Sequence, residues 1–363
     1  MSNENRLDGK KSKGAGCLRW LGRVALGVVI LLLGLIAIGA IYQAIASVSD
    51  AKAYKPVDQM VDVNGIQMRL DCRGSGSPTV VLEAGGQSSS SIWVRIQDEV
   101  AEFTRVCSYD RAGYGWSDTV YEAMLPQQVA EMLHDLLEKA GEKPPYLMVG
   151  HSFGGIYVRI FTAEYPNDVV GMVLVDSSHE NQNQQAPPEI AKSPEYIKLQ
   201  KAGATSLQIL QIAAPIGVLR AFKLMDPAVA SLQLPDQEKG PALAEMYRTG
   251  FIGAYVRESD MMATYSGQPK KLGDIPLIVL SQKMDLTDVQ KMFEPYPPAI
   301  KSLLTTEVMQ QVADTYNEQQ NELAALSTRG KRIIVEESGH FIQLDAPEVV
   351  IDAIREVFGQ IAR

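Results

Sequence analysis

Ser152 stands between Gly150 and Gly154 in LMVGHSFGGI, with apolar residues before it and a helix-compatible run after it. A serine hydroxyl is a weak nucleophile until a base takes its proton during attack. A sharp strand-to-helix turn exposes such an oxygen above a sheet edge, and flanking glycines relieve the crowding of that turn. The helix N-terminus beneath also favours negative charge developing nearby. Glycines around a serine suit an ordinary strand-to-helix turn as well, so a base and an acid must decide. The chain has four histidines. His151 adjoins the serine but leaves the turn in another direction, His134 falls within an amphipathic helix, and His179 follows a strand. His340, in VEESGHFIQLDAPE, follows a strand and Gly339 at a loop tip, from where a base can reach across a sheet edge. The acid must hold the imidazole in its working tautomer and stabilise the imidazolium. Asp285 in IPLIVLSQKMDLTD comes just past a buried strand and is favoured; its rival is Asp176, directly after Val175.

The elements that position these residues follow from periodicity. Met60–Val63 and Ile66–Cys72 read as a hairpin turning at Asn64-Gly65. Further strands are expected at Thr79–Glu83, Arg105–Tyr109, Tyr146–Val149, Gly171–Val175, Leu277–Leu280 and Arg332–Val335. Between them, helices are expected over Ser91–Phe103, Gln127–Ala140 (ended by Gly141), the run after Ser152 to Tyr165, and Pro347–Ile361. Strands alternating with helices predict a mostly parallel sheet covered on both faces. Residues 177–270 break that rhythm: no strand pattern stands out, and Pro187, Pro188, Pro194, Pro215, Pro227 and Pro235 punctuate short helical patterns. A helical lid over a site is the reading taken, against an excursion that merely thickens the domain.

Several dispersed stretches, VVLEAGG, YDRAGYGWSD, VGHSFGG, IPLIVLSQKMD and SGHFIQLDAPE, occur in an order that resembles the α/β-hydrolase fold across roughly residues 58–363. The resemblance implies an α/β architecture with a central eight-stranded sheet, a lid after the sixth strand, and a catalytic triad of Ser152, Asp285 and His340, in that chain order. It further implies an oxyanion hole from backbone N–H groups of Gly86 and Phe153, with Gln87 as the alternative loop donor. Many members carry His-Gly after the third strand, whereas this chain has Ala84-Gly85. In the implied sheet the second and fourth strands are neighbours, so Cys72 and Cys107 are expected to form a disulfide. Asp110, Arg111 and Ser117 read as a hydrogen-bonded structural turn rather than as substrate contacts. The chemistry implied is ester, or alternatively amide, hydrolysis through an acyl-enzyme. Haloperoxidase-like, carbon–carbon hydrolase, peptidase and acyl-transfer variants keep the same triad, and a non-catalytic binding domain can occupy the same fold. The serine at the elbow argues against epoxide hydrolases and haloalkane dehalogenases, which use aspartate there.

The rest of the composition bounds partners and location. The 363 residues are long enough for one large domain, and a net charge of −9 argues against a general nucleic-acid binder. No metal-ligand spacing or phosphate-binding glycine loop is seen, and no cofactor is expected. From Val24 to Ala46 no residue is charged, which is enough helix for a hydrocarbon core of about 30 Å. Before it lie Arg6, Lys10, Lys11, Lys13, Arg19 and Arg23 against only Glu4 and Asp8. The expectation is a cytoplasmic basic tail over 1–23 that holds Cys17, a transmembrane anchor over 24–46, a linker over 47–58, and a catalytic domain over 59–363 outside the cytoplasm. A cleaved signal ending at Ala44–Ala46 and a buried core helix are the competing readings. The expected partners are the membrane and a small acyl substrate with an apolar group.

Overall fold

The computed structural model describes residues 13–55, 59–182 and 187–361. Eight strands, β1 (Gln59–Val63), β2 (Ile66–Arg73), β3 (Thr79–Glu83), β4 (Val106–Tyr109), β5 (Tyr146–His151), β6 (Val169–Val175), β7 (Leu277–Gln282) and β8 (Gly330–Val335), form one sheet in the order β1-β2-β4-β3-β5-β6-β7-β8. β1 and β2 pair antiparallel, as do β2 and β4, and every other pairing is parallel. The central strands are buried on both faces, which is why they read as near-continuous apolar runs. Alternation still sorts their side chains: Val81 joins Leu133, Leu136 and Phe161 on one face, whereas Val80 and Leu82 join Trp93, Ile96, Val350 and Ile354 on the other.

The helices that clamp the sheet start and stop where local chemistry dictates. The helix Pro126–Ala140 begins with proline at its first position and ends at Gly141, whose φ of 79° supplies the left-handed cap. The expected helix over Ser91–Phe103 is broken instead into a short turn, Ser90–Trp93, and a helix, Gln97–Ala101. Of the apolar residues that set the pattern, Ile92, Ile96 and Val100 are buried and Val94 is half-buried, so packing rather than helical continuity satisfies most of it. Cys72 and Cys107 lie directly opposite each other on β2 and β4 and are joined by a disulfide.

The 177–270 insertion lies between β6 and β7, and among its described residues there are helices and no strand of the sheet. The N-terminal segment departs from expectation. A single helix, α1, runs from Lys13 to Tyr54, so residues 47–54 continue it rather than form a linker. The sequence Ser47–Tyr54 contains neither glycine nor proline to stop the helix. Arg6, Lys10 and Lys11 of the basic tail, the Cys17 side chain, and residues 56–58 of the linker lie outside the described residues.

Candidate active site

β5 delivers Ser152 into a tight turn at the carboxyl edge of the sheet, with φ of 50°, and the helix Gly154–Glu164 follows. A left-handed conformation is costly for serine and persists only when its surroundings hold it. Here the Ser152 N–H donates to the Val175 carbonyl at 3.0 Å, and its own carbonyl accepts from Gly155 and Ser178. The two glycines of the motif are required sterically. A Cβ on Gly154 would come within 2.4 Å of the Ala84 carbonyl oxygen, and one on Gly150 within 2.7 Å of the Gly155 Cα.

His340 sits on the loop after β8, which Asp345 braces by accepting from the Gly339 N–H at 3.0 Å. His151, the residue before the serine, donates from Nε2 to the His340 backbone carbonyl at 2.9 Å. Thus the turn and the histidine loop are joined directly. His151 is buried, and desolvation together with the nearby His340 pushes its pKa down to about 3, which keeps it neutral.

The acid is where the favoured sequence reading fails. His340 Nδ1 donates to Asp176 Oδ2 at 2.6 Å. Asp176 is buried at the end of β6, the strand beside the one that carries Ser152, and also receives hydrogen bonds from the Gln282 N–H, the Gln282 side chain and the Tyr316 hydroxyl. Burial pushes its pKa up, but the His340 and Tyr316 hydrogen bonds and the His340 charge outweigh it and hold the carboxyl below its usual value. Asp285, by contrast, caps the helix Leu286–Met292, accepting from Thr287 and Asp288, and pairs with Lys283 at 2.7 Å. Its side chain is 44% exposed, and the Lys283 hydrogen bond leads the effects that draw its pKa down to about 2. The carboxylate is turned into its own helix, and the structure does not bring it to His340.

On the other side of Ser152 lies the loop after β3. The Gln87 N–H, the alternative loop donor, is spent on Glu258 at 2.5 Å, and Phe153 caps the start of the helix. Arg111 fixes this loop from beneath, bonding Glu83 at 2.7 Å and the carbonyls of Ala84 and Gly85 at 2.8 and 2.7 Å. Asp110 accepts from the Ser90 and Trp116 N–H groups, and the Ser117 hydroxyl donates to the Asp110 carbonyl, the structural turn expected of this stretch. Glu258, in the insertion, also accepts from the Tyr114 and Tyr157 hydroxyls at 2.5 and 2.7 Å. Nothing in the sequence marks Glu258 for this task, since the insertion carries no recognisable motif.

A cavity of about 240 Å³ opens beside Gly86, walled by Ser89, Ile92, Leu232, Glu245, Met246 and Phe341 among others. Glu245 accepts from the Ser89 hydroxyl at 2.6 Å, and burial, followed by repulsion from Asp110, pushes its pKa up to about 8. The remaining histidines are engaged elsewhere: His134 stacks on Tyr165 with ring centroids 3.9 Å apart, and His179 accepts from the Asn181 N–H. Ligand atoms of His134, Asp135 and Glu138 approach within 4.8 Å, on a helix surface away from this turn.

Residues 80–353 match the family model described as "Alpha/beta hydrolase family". The chain belongs to the alpha/beta hydrolase family. It is similar to the uncharacterized protein YqjL of Bacillus subtilis, 36% identical over 104 residues, a stretch covering 29% of this chain and 41% of that protein. An AB hydrolase superfamily protein of Gibberella zeae is 23% identical over 296 residues, covering 77% and 86% of the two chains. Among solved structures, an esterase from Thermogutta terrifontis superposes with a TM-score of 0.55 at 19% identity, over 83% of this chain and 97% of that one. At that identity the likeness speaks for the fold.

Proposed function

We propose that this alpha/beta hydrolase is a serine hydrolase that cleaves a carboxylic ester through an acyl-enzyme. The observation that carries the reading is the 2.6 Å His340–Asp176 hydrogen bond, on a histidine loop tied through His151 to the Ser152 turn. In this mechanism Ser152 Oγ attacks the carbonyl carbon while His340 Nε2 takes its proton. Asp176 holds the Nδ1–H tautomer and stabilises the imidazolium. The N–H groups of Gly86 and Phe153 receive the oxyanion. Collapse expels the alcohol, protonated by His340; water then attacks the acyl-enzyme by the same route and frees the acid. The apolar part of the cavity wall, Ile92, Leu232, Met246 and Phe341, suits an apolar group on the substrate.

The anchor reading of α1 belongs to the same proposal. Leu31, Leu33 and Ile38 are more than half exposed on this helix, a continuous apolar surface that water does not tolerate well. The basic residues ahead of it favour a cytoplasmic N-terminus and a catalytic domain on the opposite side. The test is hydrolysis of a chain-length series of p-nitrophenyl esters by the purified full chain. Hydrolysis is expected to fall by about 10⁴-fold or more in Ser152→Ala. Turnover unchanged by that substitution would end the reading.

A further inference from the structure

The outer end of α1 is clamped to the 177–270 insertion. A Cβ on Gly39 would come within 2.2 Å of the Ile216 carbonyl oxygen, and one on Gly217 within 2.7 Å of the Gly39 carbonyl oxygen. The turn Ala214–Gly217 therefore rests backbone to backbone on α1. Gln43, which carries the only side-chain amide in the apolar stretch, is buried at this contact. Its Nε2 donates to the Tyr247 carbonyl at 2.7 Å and to the Ser47 hydroxyl at 3.1 Å, and its Oε1 accepts from Arg220 at 3.3 Å. Arg220 in turn pairs with Asp50 at 2.6 Å.

Position along the helix gives the contact its meaning. Gly39 lies sixteen residues past Arg23, the last basic residue before the apolar stretch. At 1.5 Å per residue that is about 24 Å, and Gln43 falls at about 30 Å, the far edge of a hydrocarbon core. The same corner of the insertion leaves large apolar side chains in the open: Ile209 is 61% exposed, Ile212 75%, Phe222 72% and Leu224 43%. The helix Pro194–Ala213 that leads to it has no buried residue along its length. Such a grouping on a water-facing surface is unfavourable; at a lipid boundary it is gained.

We propose that this corner is a membrane-seating surface, with Ile209, Ile212, Phe222 and Leu224 entering the headgroup–acyl boundary of a phospholipid bilayer beside α1. The proposal rests on α1 being a spanning anchor. It gives the insertion a fixed place: Ala228, Ser231 and Leu232, which line the cavity beside Gly86, follow Leu224 by only four to eight residues. The chain thus passes from the seating surface to the cavity wall within eight residues.

The test uses the full chain with Cys17→Ser, carrying Ile212→Cys or Phe222→Cys labelled with an environment-sensitive fluorophore. The protein is reconstituted in phosphatidylcholine–phosphatidylglycerol vesicles containing spin-labelled lipid. Leu31→Cys reports on the anchor, and Ile334→Cys on β8 serves as the water-facing reference. The expected result is a blue shift and loss of emission at positions 212 and 222 as well as 31, with position 334 unaffected. Quenching at 31 but not at 212 and 222 overturns the seating surface and leaves the anchor standing. No quenching at 31 overturns the anchor reading, and the seating surface with it.

Discussion

Asp176→Asn separates the site described here from the arrangement built on Asp285. In the native site all four groups that meet the Asp176 carboxylate are donors: His340 Nδ1, the Gln282 N–H, the Gln282 side chain and the Tyr316 hydroxyl. An asparagine offers one oxygen, and its NH₂ must then face donors that a carboxylate accepted. If the oxygen stays on Gln282 and Tyr316, the NH₂ faces His340 Nδ1. The imidazole answers by moving its proton to Nε2, where it can no longer take one from Ser152. Loss of the working tautomer costs about 10³–10⁴ in rate, or about 4–5 kcal/mol of transition-state stabilisation. Asp285→Asn keeps a good helix cap and removes only an exposed charge, so its rate is expected to stay within about twofold of native. The assay is the rate of fluorophosphonate labelling or of ester turnover, with thermal melting run on each variant to confirm folding. A folded Asp176→Asn protein within tenfold of native, beside an Asp285→Asn protein that has lost activity, would refute the assignment.

Three further outcomes follow from the same geometry. Gly154→Ala puts a methyl group against the Ala84 carbonyl, 2.4 Å away, so soluble protein is expected to melt lower and label far more slowly; native-like labelling would count against the tight turn. Opening the Cys72–Cys107 bridge, which closes a loop of sequence separation 35, is expected to cost about 2–4 kcal/mol in denaturant unfolding, read as Cys72→Ser/Cys107→Ser against native. Glu245, with its pKa raised from 4.5 to about 8, holds in the folded protein a proton that the unfolded chain releases. Its contribution to stability is therefore lost as pH rises from about 4.5 to 8. Glu245→Gln should be more stable than native at pH 8 by about 1 kcal/mol or more and nearly equal to it at pH 4; melting curves that stay parallel across that range would contradict the assignment.

The sheet was legible because doubly buried strands leave apolar runs of strand length, with glycine turns between them. Ser152 stood out because it sits just past such a run, and His340 because it follows a strand and a glycine at the sheet edge, although that strand, β8, is only partly buried. The acid was not, because Asp176 and Asp285 both follow buried strands, and sequence order does not say which one a loop histidine will reach. Their neighbours differ in kind: the residues after Asp285 form a helix that its carboxylate caps, whereas Asp176 meets Tyr316 and Gln282 from distant parts of the chain. The Ser91–Phe103 helix was misread for a related reason: its apolar spacing is met by a turn and a short helix that bury Ile92, Ile96 and Val100. Over residues 47–54 the expected linker is helix instead, because short polar residues allow a helix as readily as a coil, and the contacts of Gln43 and Asp50 with Arg220 extend order outward from α1. Glu258 stayed hidden because its partners come from three other segments.

Peptide mapping by mass spectrometry after exposure of the folded full chain to a fluorophosphonate tests the central claim most directly. One phosphonyl adduct is expected, on the peptide carrying Ser152, absent from Ser152→Ala and strongly reduced in His340→Ala. Folded protein that carries no adduct at Ser152, or carries it at an undiminished rate without His340, would contradict it.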